Sequence, residues 1–209
     1  MIPRYQKALF VLLFLASLAM GIELWRMRDR AHQELLAGEV SAPTSVPPVA
    51  PAVQAALFVA NDAENTLVPQ VESLPLPSDP SARARVILGK LLDLYSTPDS
   101  PHPAPGGAAS VAQVFLLAAP GPRDAQDGDA QLAVVDLTGA FAASHPSGLE
   151  TEALTIQSIC ATLHANLPRV TEVRFLVDGA QRPTLAGHAD LTRTYLAASA
   201  VPTPEGATP

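Results

Sequence analysis

A helix and then a strand are indicated in residues 147–179, SGLETEALTIQSICATLHANLPRVTEVRFLVDG. In its first part apolar side chains recur at helical spacing on one face: Leu149, Ala153, Ile156, Cys160 and Leu163. Ser147 and Glu150 have the spacing of a capping box, so we expect the helix to begin near Ser147. Residues 170–177 alternate, with valine and phenylalanine on one side and charged or larger residues on the other, and Asp178-Gly179 then ends the strand in a turn.

The rest of the chain supplies further elements of the same kind. Short apolar runs predict strands over residues 56–60, 111–118 and 132–137, and a weaker strand over 71–76. The strands at 111–118 and 132–137 could pair as a hairpin with a long loop. A helix opens at Ser78-Asp79-Pro80, where a capping side chain precedes a proline in the first turn. This order predicts an α/β (α+β) fold, with two helices on one face of a small mixed sheet.

The ends of the chain differ in composition from this patterned region. Residues 8–25 are mostly apolar and predict a transmembrane anchor behind a cytoplasmic segment, residues 1–7; a cleaved signal peptide is the alternative. Residues 26–54 become rich in proline and alanine and predict a stalk. The folded domain is expected at 55–196, facing the periplasm or the cell exterior, and the proline-containing tail, 197–209, is expected to be disordered.

Composition narrows the classes of partner and compartment. The formal net charge is −7, which argues against nucleic acid because phosphates require a basic surface. The single cysteine, Cys160, allows neither an internal disulfide nor a cysteine-based zinc site. No cysteine stands immediately after the apolar segment, so attachment as a lipoprotein by that route is not expected.

The sequence offers no convincing catalytic, metal or cofactor constellation. The histidines lack metal-ligand spacing; His102 and His145 lie among prolines and are expected in solvent, while His164 suits a helix end. Cys160, on an apolar helix face, is expected to be a buried structural thiol. Catalysis by Glu152 requires a second carboxylate or a histidine, and the sequence offers no convincing partner; the helix dipole favours a carboxylate at this position.

Several short motifs resemble the GerMN domain, a family named for sporulation and spore-germination proteins. They are Val135-Asp136-Leu137-Thr138, Phe141, Gly148, Glu152-Ala153-Leu154, Ala161-Thr162-Leu163, Pro168, Val170, Val173 and Leu176-Val177-Asp178-Gly179. Leu57-Phe58-Val59 and Leu67-Val68-Pro69 fit the start of the domain, and Gly187-His188 with Asp190-Leu191 fits its end.

The resemblance implies a fold like ring-building motifs, an exported and often membrane-anchored protein, and no established catalytic residues. We expect its motif residues to be structural rather than functional: Asp136, Thr138, Glu152, Thr162, Leu163, Asp178 and Gly179. A polar contact site at Asp136 and Thr138 is the alternative, because aspartate also binds backbone N–H groups readily in turns.

Three functions follow as hypotheses. The first is a membrane-anchored, non-catalytic interaction module that binds envelope proteins or copies of itself. The second is a module that binds cell-wall glycan or peptide in a groove exposing Tyr95, Phe115 or Tyr195, although aromatic residues are only 5% of the chain. The third is an envelope hydrolase, which requires carboxylates or histidines clustered in a cleft.

Overall fold

The computed structural model describes residues 52–119 and 130–200, together with Ser17, Leu18 and Met20. Within these residues, no helix has the length and apolar character needed to cross a bilayer. Apart from the three named residues, the predicted anchor lies outside the described part of the chain, and so does most of the predicted stalk and tail. The described residues from Ala52 onward belong to one compact unit, which contains every helix and strand described below.

The domain begins with two long strands that form an antiparallel hairpin, β1 (Ala52–Asn61) and β2 (Thr66–Pro75). Helix α1 (Pro80–Tyr95) and a 3-10 turn (Gly107–Ser110) lead to β3 (Val111–Ala118). Strand β4 (Gln131–Leu137), the short helix α2 (Gly139–Ser144) and the long helix α3 (Leu149–Asn166) follow. The last elements are β5 (Val170–Val177), β6 (Tyr195–Leu196) and a 3-10 turn (Ala198–Ala200).

Strands β3 to β6 form a four-stranded mixed sheet in the order β3-β4-β5-β6. The predicted hairpin of β3 and β4 is confirmed, β4 and β5 are parallel, and β5 and β6 are antiparallel. Strands β4 and β5 are connected through α3, because parallel neighbours require a long crossover connection, which is usually a helix. The register aligns Val114, Val135 and Phe175 across three strands, and all three side chains are buried. This face of the sheet is therefore the core face. Helix α1 contacts β3, and helix α3 contacts β5.

The start of α1 follows from its sequence. The Asp79 carboxylate accepts a hydrogen bond from Ala82 N at 2.7 Å, and Pro80 is the first helical residue. The predicted apolar face is buried at most of its positions: Ala84, Ile87, Leu88, Leu91 and Tyr95. Leu94 is only partly buried, and Leu92 takes its place in the core.

Three expectations differ from the structure. The described strands form two sheets rather than one, because the outer edge of β1 is bound by side chains of α3 and not by a further strand. The weak strand expected at 71–76 is the end of the longer β2, whose exposed residues gave no alternating pattern. Ser147 and Glu150 form no capping box: α3 begins at Leu149 behind Gly148, which has no side chain to cap the helix, and Gly148 N instead donates to Glu152 Oε1 at 3.4 Å.

The limits of the ordered domain are also slightly wider than expected. Strand β1 already begins at Ala52, within the predicted stalk. At the other end Ala197 is fully buried, and the following 3-10 turn continues the domain to Ala200.

Candidate functional site

Two histidines meet at one hydroxyl in the interior of the domain. His102 Nε2 lies 2.7 Å from Thr155 Oγ1, and His145 Nε2 lies 2.8 Å from the same oxygen. His102 Nδ1 contacts Asp62 Oδ1 at 2.5 Å. We call Asp62, His102, His145 and Thr155 the buried histidine cluster. The expectation that His102 and His145 lie in solvent was wrong, because their exposed fractions are 0% and 5%.

Asp62, His102 and Thr155 are connected in the order of a carboxylate, a base and a hydroxyl nucleophile. Catalysis by such a group requires that a substrate atom reach the hydroxyl oxygen. Thr155 and His102 are both fully buried, and Thr155 Oγ1 already contacts Thr151 O at 3.1 Å as well as both imidazoles. The arrangement is therefore a packed structural network and does not meet the requirement of the hydrolase hypothesis for reactive groups in a cleft.

The ring orientation of His145 is fixed by its other nitrogen. Nδ1 lies 2.8 Å from Pro146 O, which can only accept, so Nδ1 carries a proton. Burial lowers the pKa of His145 below its ordinary value, against the smaller opposite effect of the Pro146 carbonyl. This imidazole is accordingly neutral, with Nε2 free to accept a hydrogen bond.

Tyr95 extends this polar region toward β1. Its hydroxyl accepts from Ala60 N at 3.0 Å and donates to Ser158 Oγ, which in turn donates to Phe58 O at 2.6 Å. Its ring packs edge-on against His102, with centroids 4.6 Å apart. Burial raises the pKa of Tyr95 to about 12, so it remains a neutral donor. Tyr95 is only 1% exposed and cannot line the groove that the glycan hypothesis requires.

Glu152 is a buried anchor between α3 and the segment before β6. Its Oε2 accepts backbone N–H groups of Ala186 at 3.0 Å, His188 at 3.0 Å and Ala189 at 2.8 Å. Its Oε1 accepts from His188 Nδ1 at 3.0 Å. Burial raises the pKa of this carboxyl, but the hydrogen bonds outweigh it and hold the pKa at about 2. Glu152 is thus a charged structural residue.

The two aspartates of the motif residues bind each other's chain segments where β4 and β5 end. Asp136 Oδ1 accepts from Gly179 N at 2.8 Å, and Asp178 Oδ1 accepts from Gly139 N at 2.7 Å. Asp178 and Gly179 both have positive φ, 51° and 74°, so the tight turn after β5 needs residues that tolerate this conformation. Thr138 caps α2 by accepting from Phe141 N at 3.3 Å. These contacts tie the ends of the parallel strands together.

The remaining two motif residues, Thr162 and Leu163, also lie on helix α3. Thr162 Oγ1 accepts from Phe58 N at 2.9 Å, and Leu163 is 1% exposed in the core. Four of the seven motif residues, Asp136, Thr138, Asp178 and Gly179, thus meet at the strand ends, while Glu152, Thr162 and Leu163 lie at separate places along α3.

A surface groove runs beside α3 and measures about 630 Å³. Its lining includes Ile156 and Cys160 from α3, and Arg193 and Tyr195 from the last segment of the domain. The Arg193 guanidinium stacks 4.4 Å above the Tyr195 ring, whose hydroxyl donates to Asp190 O at 2.6 Å. Burial raises the pKa of the Cys160 thiol to about 12, so it is an unreactive wall residue, as its position on an apolar face indicated.

The described residues contain no group of three or more histidine, cysteine, aspartate or glutamate side chains able to hold a metal ion. The buried histidine cluster was missed from the sequence because its members come from four separate segments, most of them far apart in the chain. His102 is 40 residues from Asp62 and 53 from Thr155. A histidine between prolines gives no local sign that it is buried, so only the fold brings this cluster together.

The fold and its interior define a small α/β domain whose polar residues mainly hold chain segments together. The family model described as Germane, sporulation and spore germination, matches residues 55–183, more than half of the 209 residues. The chain therefore belongs to this family, which agrees with the GerMN resemblance. No curated protein sequence matches the chain significantly.

The solved structures that are similar to the chain include two of GerMN domains. The tandem GerMN domains of the sporulation protein GerM from Bacillus subtilis share 18% identity at a TM-score of 0.38, with 67% of this chain and 44% of that one covered. This chain thus spans less than half of the tandem structure. The first GerMN domain of the same protein shares 19% identity at a TM-score of 0.35, covering 66% of this chain and 92% of that one.

Proposed function

We propose that the domain is a non-catalytic interaction module of the cell envelope, held outside the cytoplasmic membrane by an anchor at residues 8–25 and a stalk. Family membership supports a role of the sporulation type. The observation that carries the proposal is the outer edge of β3, which differs from the other strand edges of the domain.

Two other edges are closed to a further strand. Along β1, side chains of α1 and α3 bind the outward N–H groups of Ala56, Phe58 and Ala60. On β2, Pro69 is paired with Phe58, and because Phe58 N points away from β2 toward Thr162, Pro69 lies on the outward side of its own strand. A proline there has no N–H to offer a neighbouring strand. Strand β6 is only two residues long.

The β3 edge is less protected, although Arg85 Nε donates to Val111 O at 3.3 Å where the strand begins. Its sequence, VAQVFLLA, contains neither proline nor charge, and no described strand pairs with its outer side. Ala119 N binds Ala130 O at 3.0 Å, so by antiparallel alternation the backbone groups of Leu116 and Ala118 point outward. Phe115 and Leu117, on the sheet face away from the helices, are 47% and 51% exposed. An uncharged edge beside exposed apolar side chains is typical of a surface that adds a strand from a partner.

A photo-crosslinking experiment in intact membranes tests this proposal. A photoreactive residue replaces Phe115 in the full-length chain, and the matched control carries it at Glu64, which is exposed at the turn between β1 and β2. We expect discrete crosslinked species, with an envelope protein or with a second copy, at position 115 and not at 64. Equal labelling at the two positions would remove the β3 edge as an interaction surface. Fractionation of the same membranes locates the chain and tests the anchor separately.

The groove beside α3 favours a second candidate, a cell-wall peptide binding module. Its volume of about 630 Å³ suits a small ligand, and its walls combine apolar side chains with Arg193, Asp190 and Gln157. Tyr195 is only half exposed and is covered by Arg193, which leaves little aromatic surface for stacking on sugar. Sedimentation with isolated cell wall separates the candidates: binding lost in Arg193→Ala but kept in Phe115→Ser would favour the groove.

A further inference from the structure

The charge of the buried histidine cluster follows from the number of protons that its hydrogen bonds require. Thr155 has one hydroxyl proton and contacts three possible acceptors: His102 Nε2, His145 Nε2 and Thr151 O. The Nδ1 atoms of both imidazoles already hold protons, because one faces the Asp62 carboxylate and the other the Pro146 carbonyl. In two neutral imidazoles both Nε2 atoms would therefore be acceptors, and one hydroxyl proton cannot satisfy them.

One additional proton resolves the conflict. If His102 is an imidazolium, its Nε2–H donates to Thr155 Oγ1, and the threonine hydroxyl donates to the neutral His145 Nε2. A second additional proton would also satisfy the hydroxyl, but it would place two positive charges with ring centroids 6.2 Å apart in the interior. The titratable groups around the cluster are Asp62, Tyr95 and Glu152; Tyr95 stays neutral, and Glu152 is already bound by four N–H groups of the segment before β6.

We propose that the two imidazoles share a single positive charge, located on His102 beside Asp62, and that the hydrogen bonds of this charged pair form a lock between four segments of the domain. Those segments are the β1–β2 turn through Asp62, the loop between α1 and β3 through His102, the connection into α3 through His145, and α3 itself through Thr155. Without the additional proton or without the Thr155 hydroxyl the hydrogen-bond pattern is incomplete, and all four segments lose a common connection.

Nuclear magnetic resonance of the full-length chain, labelled with ¹⁵N on its five histidines, tests the proposal. Signals are assigned with single His→Gln variants. At pH 7 we expect His102 to show two protonated ring nitrogens and His145 to show one, at Nδ1. Two neutral imidazoles, or two charged ones, would overturn the charge assignment.

The lock itself is tested at Thr155 with a matched pair of variants. Thr155→Ser keeps the hydroxyl and should preserve the wild-type signals, whereas Thr155→Val removes it and should lose the imidazolium signal of His102. Amide exchange at residues 97–104 and 145–148 should then be about tenfold faster in Thr155→Val than in Thr155→Ser. Equal exchange in the two variants refutes the lock. If Thr155→Val does not fold, Asp62→Asn decides: it removes the carboxylate that faces His102 Nδ1, so the imidazolium signal should be lost and amide exchange at residues 97–104 should rise. Unchanged signals and exchange in Asp62→Asn also refute the lock.

Discussion

Replacing Glu152 by glutamine removes one charge from the interior at nearly constant size. The carboxylate is fully buried and accepts three backbone N–H groups on Oε2 alone. Glutamine has one acceptor oxygen in place of two, and its amide nitrogen would face donors that need an acceptor. We therefore expect the segment containing residues 184–191 to lose its main attachment to α3.

The magnitude follows from the pKa of Glu152, which drops from its ordinary value of 4.5 to about 2 in the folded chain. One pKa unit corresponds to about 1.4 kcal/mol, so the charged form stabilises the fold by about 3 kcal/mol relative to the neutral acid. This is a large part of the free energy of unfolding of a typical domain, about 5–15 kcal/mol.

Urea unfolding of the full-length chain at pH 7 measures the effect, and Glu150→Gln is the control. Glu150 lies in the same helical turn but is exposed, so its substitution should cost less than about 1 kcal/mol. Glu152→Gln should lower the free energy of unfolding by about 3 kcal/mol.

The pH dependence gives an independent check. The folded-state pKa is below the unfolded one, so this stabilisation is complete above about pH 4.5 and is lost as the pH falls toward 2. The difference between wild type and Glu152→Gln should therefore shrink across that range. A Glu152→Gln variant that matches Glu150→Gln at pH 7, or a difference that does not change with pH, would refute this account of Glu152.

Three further substitutions or treatments test the other contacts. Thr162→Val leaves Phe58 N without its acceptor and should cost about 1–3 kcal/mol in urea unfolding, whereas Thr162→Ser should cost less. Asp178→Ala removes the acceptor of Gly139 N and places alanine at a φ of 51°, so it should lower the melting temperature more than Asp178→Asn does. Cys160, whose pKa burial raises to about 12, should resist alkylation at pH 8 in the folded chain and react fully in denaturant; fast labelling of the native chain would contradict its burial.

Strands that bury every second residue were predictable from the sequence, whereas a strand with mostly exposed residues was not. Strand β5 was predicted at its observed limits because Val173, Phe175 and Val177 alternate with exposed or half-buried neighbours. Strand β2 was recognised only in part, since it buries little and its pairing depends on β1 rather than on its own pattern. Local motifs indicated Asp136 and Asp178, but their mutual exchange of hydrogen bonds depends on the parallel register of β4 and β5.

The polar residues of α3 explain why one domain contains two sheets. Ser158, Thr162 and Asn166 are spaced four residues apart and therefore lie along one side of the helix. Together with Tyr95 they bind backbone groups of Ala56, Phe58 and Ala60, the positions where another strand would otherwise pair with β1. A helix bound along a strand edge ends the sheet there, because those N–H and C=O groups already have partners. The buried polar residues Ser158 and Thr162 thus close the β1 edge, whereas no described strand pairs with the outer edge of β3.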